Sequence, residues 1–109
     1  MIPSLLLASV GMTDDAPVIH EEDKYRFLIE DKDLSRNQAF LEYNVLDNIL
    51  DLTHTFVPPA MRGRGLAGIL VKTSLQYAVK RKLGVRLTCW FTADYVKKFG
   101  SLGAKIITK

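Results

Sequence analysis

The 109-residue sequence predicts a mixed α/β (α+β) domain: an antiparallel meander followed by a βαβ crossover with two parallel strands. Three observations predict it. The first half of the chain alternates apolar and polar residues with period two in three runs separated by turn residues. A long run after residue 65 repeats its apolar residues with helical spacing instead. Between the two lies "TFVPPAMRGRGLAGILV", with two prolines, two arginines and three glycines where a strand hands over to a helix.

Composition bounds the possibilities. The length is that of one domain, and 48% hydrophobic with 25% charged residues is ordinary for a globular chain. The net charge of +3 suits a small anionic ligand and is too weak to argue for nucleic acid. Cys89 is the one cysteine, which excludes an intramolecular disulfide and leaves an intracellular, cytoplasmic setting as the expectation. No metal-ligand spacing is present, and no apolar run approaches the roughly 20 residues needed to span a membrane. The opening "MIPSLLLASVGM" has no Lys or Arg before its apolar run, so residues 1–20 are read as a mobile tail ahead of a domain over 21–109.

The strands follow in order. "KYRFLIE" sets Tyr25, Phe27 and Ile29 against Arg26 and Glu30. After the polar "DKDLSRN", "QAFLEYNV" places Ala39, Leu41, Tyr43 and Val45 on one side. Asp47 and Asn48 form the next turn. "ILDLTHTFV" then puts Leu50, Leu52, His54 and Phe56 on one face, and Asp51, Thr53 and Thr55 on the other.

A helix over residues 66–83 carries an apolar stripe of Ala67, Leu70, Val71, Leu75, Ala78 and Val79, with Gly84 as its stop. Lys80, Arg81 and Lys82 in its last turn complement the helix dipole. "VRLTCWF" reads as a buried strand parallel to the one ending near Val57. A short helix in "ADYVKKFG" and an edge strand in "AKIITK" finish the chain. The exposed edge leaves the oligomeric state as monomer or weak dimer.

The glycine stretch carries the chemistry. Pro58 and Pro59 end the strand, Gly63 and Gly65 let backbone approach closely, and the following helix turns unpaired N–H groups into the loop. With Arg62 and Arg64 at the rim, the loop reads either as a cradle for a phosphate or pyrophosphate or as a glycine-rich left-handed turn with solvated arginines. It is neither G-x-x-x-x-G-K-[ST] nor G-x-G-x-x-G with an acidic partner, so a P-loop and a dinucleotide fingerprint are excluded.

What remains is R-x-x-G-x-A at Arg62, Gly65 and Ala67. With "LTHTFVP", "RGRGLA", "LTCW" and "YVKK", the chain from about Lys24 to Phe99 resembles the Gcn5-related N-acetyltransferase (GNAT) superfamily, closest to its minimal NATD1-type domains. That resemblance implies acetyl-CoA as cosubstrate, its pantetheine arm lying between two splayed parallel strands. The backbone of Thr55, Phe56 and Val57 would pair with the pantetheine, and the amides of Gly63, Arg64, Gly65, Leu66 and Ala67 would hold the pyrophosphate. Arg62 would scaffold the loop and Arg64 assist with the phosphates. The acceptor would be an amine or a protein lysine, on a side of the domain left open by the hairpins.

Members of the superfamily often use a glutamate as base and a tyrosine as acid. Here the corresponding strand carries Asp51 and His54, and the position of the acid is Lys97, with Tyr95 two residues earlier. Cys89 is an alternative nucleophile, which the resemblance also indicates, with His54 as its base. The residues equally allow Cys89 to line the pocket and His54 to pack in the core. Trp90 and Tyr95 are expected to pack the domain. Two functions stay open: an N-acetyltransferase, or a CoA-binding sensor module with little or no transfer.

Overall fold

The computed structural model describes residues 18–31 and 37–108. The tail expectation for residues 1–17 therefore lies outside the described residues, as does most of the polar turn after the first predicted strand. Six strands form one sheet in sequential order: β1 (Ile19–Glu21), β2 (Arg26–Glu30), β3 (Gln38–Leu46), β4 (Ile49–Phe56), β5 (Gly84–Leu87) and β6 (Lys105–Ile107). The first four run antiparallel, whereas β4–β5 and β5–β6 are parallel. Two helices make the parallel crossovers: α1 (Leu66–Arg81) joins β4 to β5, and α2 (Trp90–Phe99) joins β5 to β6. The antiparallel meander and the parallel crossover predicted by the sequence are both present.

β1 is the strand that the sequence pattern did not predict. It is three residues long and is held by its aromatic surroundings more than by its own pattern. His20 stacks on Phe27 with centroids 4.2 Å apart, meets Tyr77 of α1 edge-on at 4.6 Å, and shares a hydrogen bond with the Tyr43 hydroxyl. Burial holds the His20 imidazole below its usual range, opposed by Glu22 and reinforced by Arg81. Burial, with Tyr77, Glu22 and Tyr25 nearby, pushes the Tyr43 phenol up to about 12.

The core lies between α1 and one face of the sheet. Leu66, Leu70, Val71, Leu75 and Ala78 point into Phe27, Ile29, Ala39, Leu41, Tyr43, Leu50, Leu52 and Val85. Their spacing is that of a helix face in contact with a sheet. Ser74 is buried in the same stripe, and its hydroxyl bonds back to the Val71 carbonyl at 2.7 Å. Lys82 ends α1 in the left-handed region, one residue past the helix, with its amide on Ala78 and Val79 carbonyls.

Two local departures matter for the site. β5 stops at Leu87, so Trp90 and Phe91 open α2 instead of extending the strand. Gly68 lets that helix sit down on α1: a Cβ there would stand 3.3 Å from the Tyr95 ring.

Candidate acyl-transfer cleft

β4 and β5 pair from Ile49↔Gly84 to Leu52↔Leu87 and no further, although β4 continues to Phe56. The strands thus part at Leu52. The apex is closed by the Cys89 amide, which donates to the Leu52 carbonyl at 2.9 Å. Beyond it opens a cleft of about 510 Å³, lined among others by Thr55, Val57, Arg62, Ala67, Cys89 and Phe91.

A β-bulge decides which sheet face each β4 side chain takes beside this cleft. Tyr43 faces Leu52, but Glu42 faces His54, leaving Thr53 as the extra residue. The Thr53 hydroxyl donates to the Glu42 carbonyl at 3.1 Å across the irregularity. Past the bulge the faces exchange. Thr55 stands opposite the fully buried Leu41, on the face of Leu50 and Leu52. His54 turns to the opposite face, where it is exposed beside Phe40, with Phe56 next to the same ring. The expectation that His54 shares a face with Leu50 and Leu52 is therefore corrected.

The loop after β4 is held from within. Arg62 donates through Nε to the Val57 carbonyl at 2.8 Å, clamping the loop across its neck. Arg64, more than half exposed, reaches Asp31 at 3.5 Å. Gly63 and Gly65 adopt φ of +85° and +72°, and Gly65 is the N-cap of α1 without any side-chain cap. The first amide bonded back along α1 is that of Ile69, to Gly65. The preceding N–H groups of Leu66, Ala67 and Gly68 are the ones a helix leaves without an intrahelical partner. Among the described residues, and apart from the two chain neighbours, no atom lies within 4 Å of where a Cβ would stand at Gly63 or Gly65, which leaves open space beside the backbone there. A hollow of about 340 Å³ over these residues shares Val57, Arg62, Ala67 and Phe91 with the cleft, so the two adjoin.

Cys89 is the N-cap of the ten-residue α2, not a strand residue. Thr92 anchors it, donating to the Cys89 carbonyl from both hydroxyl (2.7 Å) and amide (3.1 Å). Its sulfur lies 3.6 Å from Thr55 Oγ1. Burial pushes the thiol up; hydrogen bonding from the Thr55 side chain and from the Thr92, Phe91 and Thr55 backbone outweighs it. The net result is a thiol below its ordinary value.

The remaining candidates are spread out. Asp51 accepts a hydrogen bond from Thr88 beyond the apex. Tyr95 packs on Gly68 and Phe99, whereas Trp90 is 76% exposed at the cleft mouth and does not pack the domain. Lys97 is exposed, and Lys98 pairs with Asp94 at 3.3 Å. Among the described residues no group of three or more His, Cys, Asp or Glu could hold a metal ion, and no helix is long and apolar enough to cross a membrane. Sequence reasoning gave Thr55 a backbone role only. The missed signal was the bulge, which no residue type announces.

Splayed parallel strands with a glycine-loop helix start at their opening define an acyl-CoA transferase architecture. The family model of the GCN5-related N-acetyl-transferases matches residues 26–104, and the chain belongs to this family. Among curated proteins it is similar to Protein NATD1 of Homo sapiens, at 37% identity over 81 residues, covering 74% of this chain and 72% of that one. The Bos taurus Protein NATD1 is 35% identical over 101 residues, covering 90% and 89%. The fold is shared with a GCN5-like putative N-acetyltransferase from Staphylococcus aureus solved by NMR. The TM-score is 0.65 at 20% identity, over 89% of this chain and 93% of the other. The family uses acetyl-CoA as cosubstrate and an amine as acceptor, and membership supports an acetyl-transferring role for this chain.

Proposed function

We propose that the cleft binds acetyl-CoA and passes its acetyl group to an amine or protein lysine by way of Cys89. The observation that carries this reading is the placement of the Cys89 sulfur at the closed end of a strand gap whose other end is the glycine loop. The main chain of residues 55–57, beyond the last pairing of β4 with β5, is the edge for the pantetheine amides. The Arg62 clamp on the Val57 carbonyl fixes where that edge ends. The open backbone at Gly63 and Gly65 and the first-turn amides of α1 suit the pyrophosphate.

Acetyl-CoA supplies a thioester. The Cys89 thiolate forms a bond to the acyl carbon as the bond to the CoA sulfur breaks, and CoA departs as a thiolate that takes a proton from water. The neutral amine then bonds to the same carbon, the Cys89 thiolate is regenerated, and the extra proton of the attacking nitrogen passes to solvent, leaving the neutral amide. Trp90, which lines the cleft, is 76% exposed, so water has access on that side.

A second reading is a CoA-binding module without transfer. It is favoured by one observation: the bulge sets the His54 side chain on the sheet face away from Thr55 and its partner Cys89. Intact mass of the protein after incubation with acetyl-CoA separates the two. A hydroxylamine-labile gain of one acetyl group on Cys89 supports transfer. A rise in melting temperature with CoA and no mass gain supports the binding module.

A further inference from the structure

We propose that Thr55 is the positioning residue for the Cys89 sulfur, holding it ready for attack in the place the sequence assigned to His54. This rests on the reading that the cleft transfers its acyl group through Cys89. The geometry has three parts. The bulge at Thr53 turns Thr55 to the core face and His54 to the other, so one of the two side chains can reach the sulfur and the other is turned from it. The main chain of Cys89 is tied at its amide to Leu52 and at its carbonyl to Thr92, three residues from Thr55 along β4 and one turn into α2 respectively. With both ends fixed, the sulfur finds the Thr55 hydroxyl at 3.6 Å.

A threonine suits the task because β-branching restricts its rotamer, so the hydroxyl is presented without much loss of freedom. The hydroxyl can also serve both states of the sulfur. It accepts from the S–H of the thiol, and by rotating its proton it donates to the thiolate, while the released proton leaves to water through the open cleft. A charge-assisted bond of this kind favours the ionised form. The depressed titration of the Cys89 thiol agrees, with the Thr55 side chain as the largest influence in that direction after the opposing effect of burial. The other titratable residues at the cleft among the described ones are His54, whose side chain stands on the opposite sheet face, and Arg62, which is engaged with the Val57 carbonyl.

The test follows the rate of Cys89 alkylation by iodoacetamide against pH in the full chain, without acetyl-CoA. In Thr55→Val, which keeps the shape, the midpoint should rise and the rate at neutral pH should fall roughly three- to tenfold. Thr55→Ser should return the midpoint to that of the parent chain, and His54→Gln should leave it in place. Should Thr55→Val melt abnormally, Thr55→Ala is expected to raise the midpoint in the same way. A valine or alanine profile that superimposes on the parent, or a midpoint that moves with His54→Gln, overturns the proposal. Alkylation reads the thiol alone, so a protein that alkylates as expected yet gains no acetyl group refutes the transfer reading and leaves the role of Thr55 standing.

Discussion

Thr53 has no partner residue of its own on β3: the ladder steps from Leu52↔Tyr43 to His54↔Glu42, and the Thr53 hydroxyl bonds to the Glu42 carbonyl at 3.1 Å. One extra residue exchanges the faces of everything that follows it on β4. It brings Thr55 to the sulfur of Cys89 and sends His54 to the aromatic group of Phe40 and Phe56. Deleting Thr53 should remove the irregularity and leave Leu52↔Tyr43 followed directly by His54↔Glu42, with Thr55 still on the core face. The pH midpoint of Cys89 alkylation in that variant should stay at the parent's value, because Thr55 keeps its place beside the sulfur.

Cys89→Ala tests the route of transfer. It should abolish the hydroxylamine-labile acetyl adduct and leave the affinity for CoA within about threefold, a change of under 1 kcal/mol. Titration calorimetry with CoA and intact mass with acetyl-CoA read the two effects separately.

Gly65→Ala and Gly65→Glu test the cradle. Alanine at φ +72° should cost about 1–2 kcal/mol in stability, because a Cβ is disfavoured in the left-handed region whatever the space around it. Glutamate should in addition abolish CoA binding by setting a carboxylate among amides that suit phosphate. Thermal melts and calorimetry distinguish the two costs.

His20 makes stability depend on pH. Its folded-state value lies below the ordinary 6.5, so the unfolded chain binds more protons over the window just below 6.5. Stability should be at its plateau above that value and fall as the pH drops through the window. His20→Gln, which can still bond to Tyr43, should show a shallower fall than the parent chain when melting temperature is followed from pH 8 to 5.

Leu70→Ala tests where the core sits. Leu70 is fully buried between α1 and the sheet, and its truncation should cost about 2–5 kcal/mol in denaturant unfolding. The same change at exposed Leu46 should cost well under 1 kcal/mol.

Much of the fold was legible because its signals are local. Period-two alternation marked β2, β3 and the first half of β4; helical spacing marked α1; and Pro58, Gly63 and Gly65 marked the loop between them. The left-handed φ at Gly63 and Gly65 is what those glycines were read to permit. β1 escaped because three residues are too few to show a period, and its hold comes from Phe27, Tyr43 and Tyr77, distant in sequence. The start of α2 escaped because Trp90 and Phe91 look like strand residues, while Cys89 caps the helix without the usual side-chain signature.

By itself the sequence determined the order of strands and helices, the parallel crossover and the position of the phosphate-type loop, since each follows from propensity and periodicity along a short stretch of chain. Only the tertiary structure decided which β4 side chain meets Cys89. That choice turns on a single inserted residue in a ladder between two strands, and a shift of one position in a period of two leaves the residue types unchanged while reversing where every later one points.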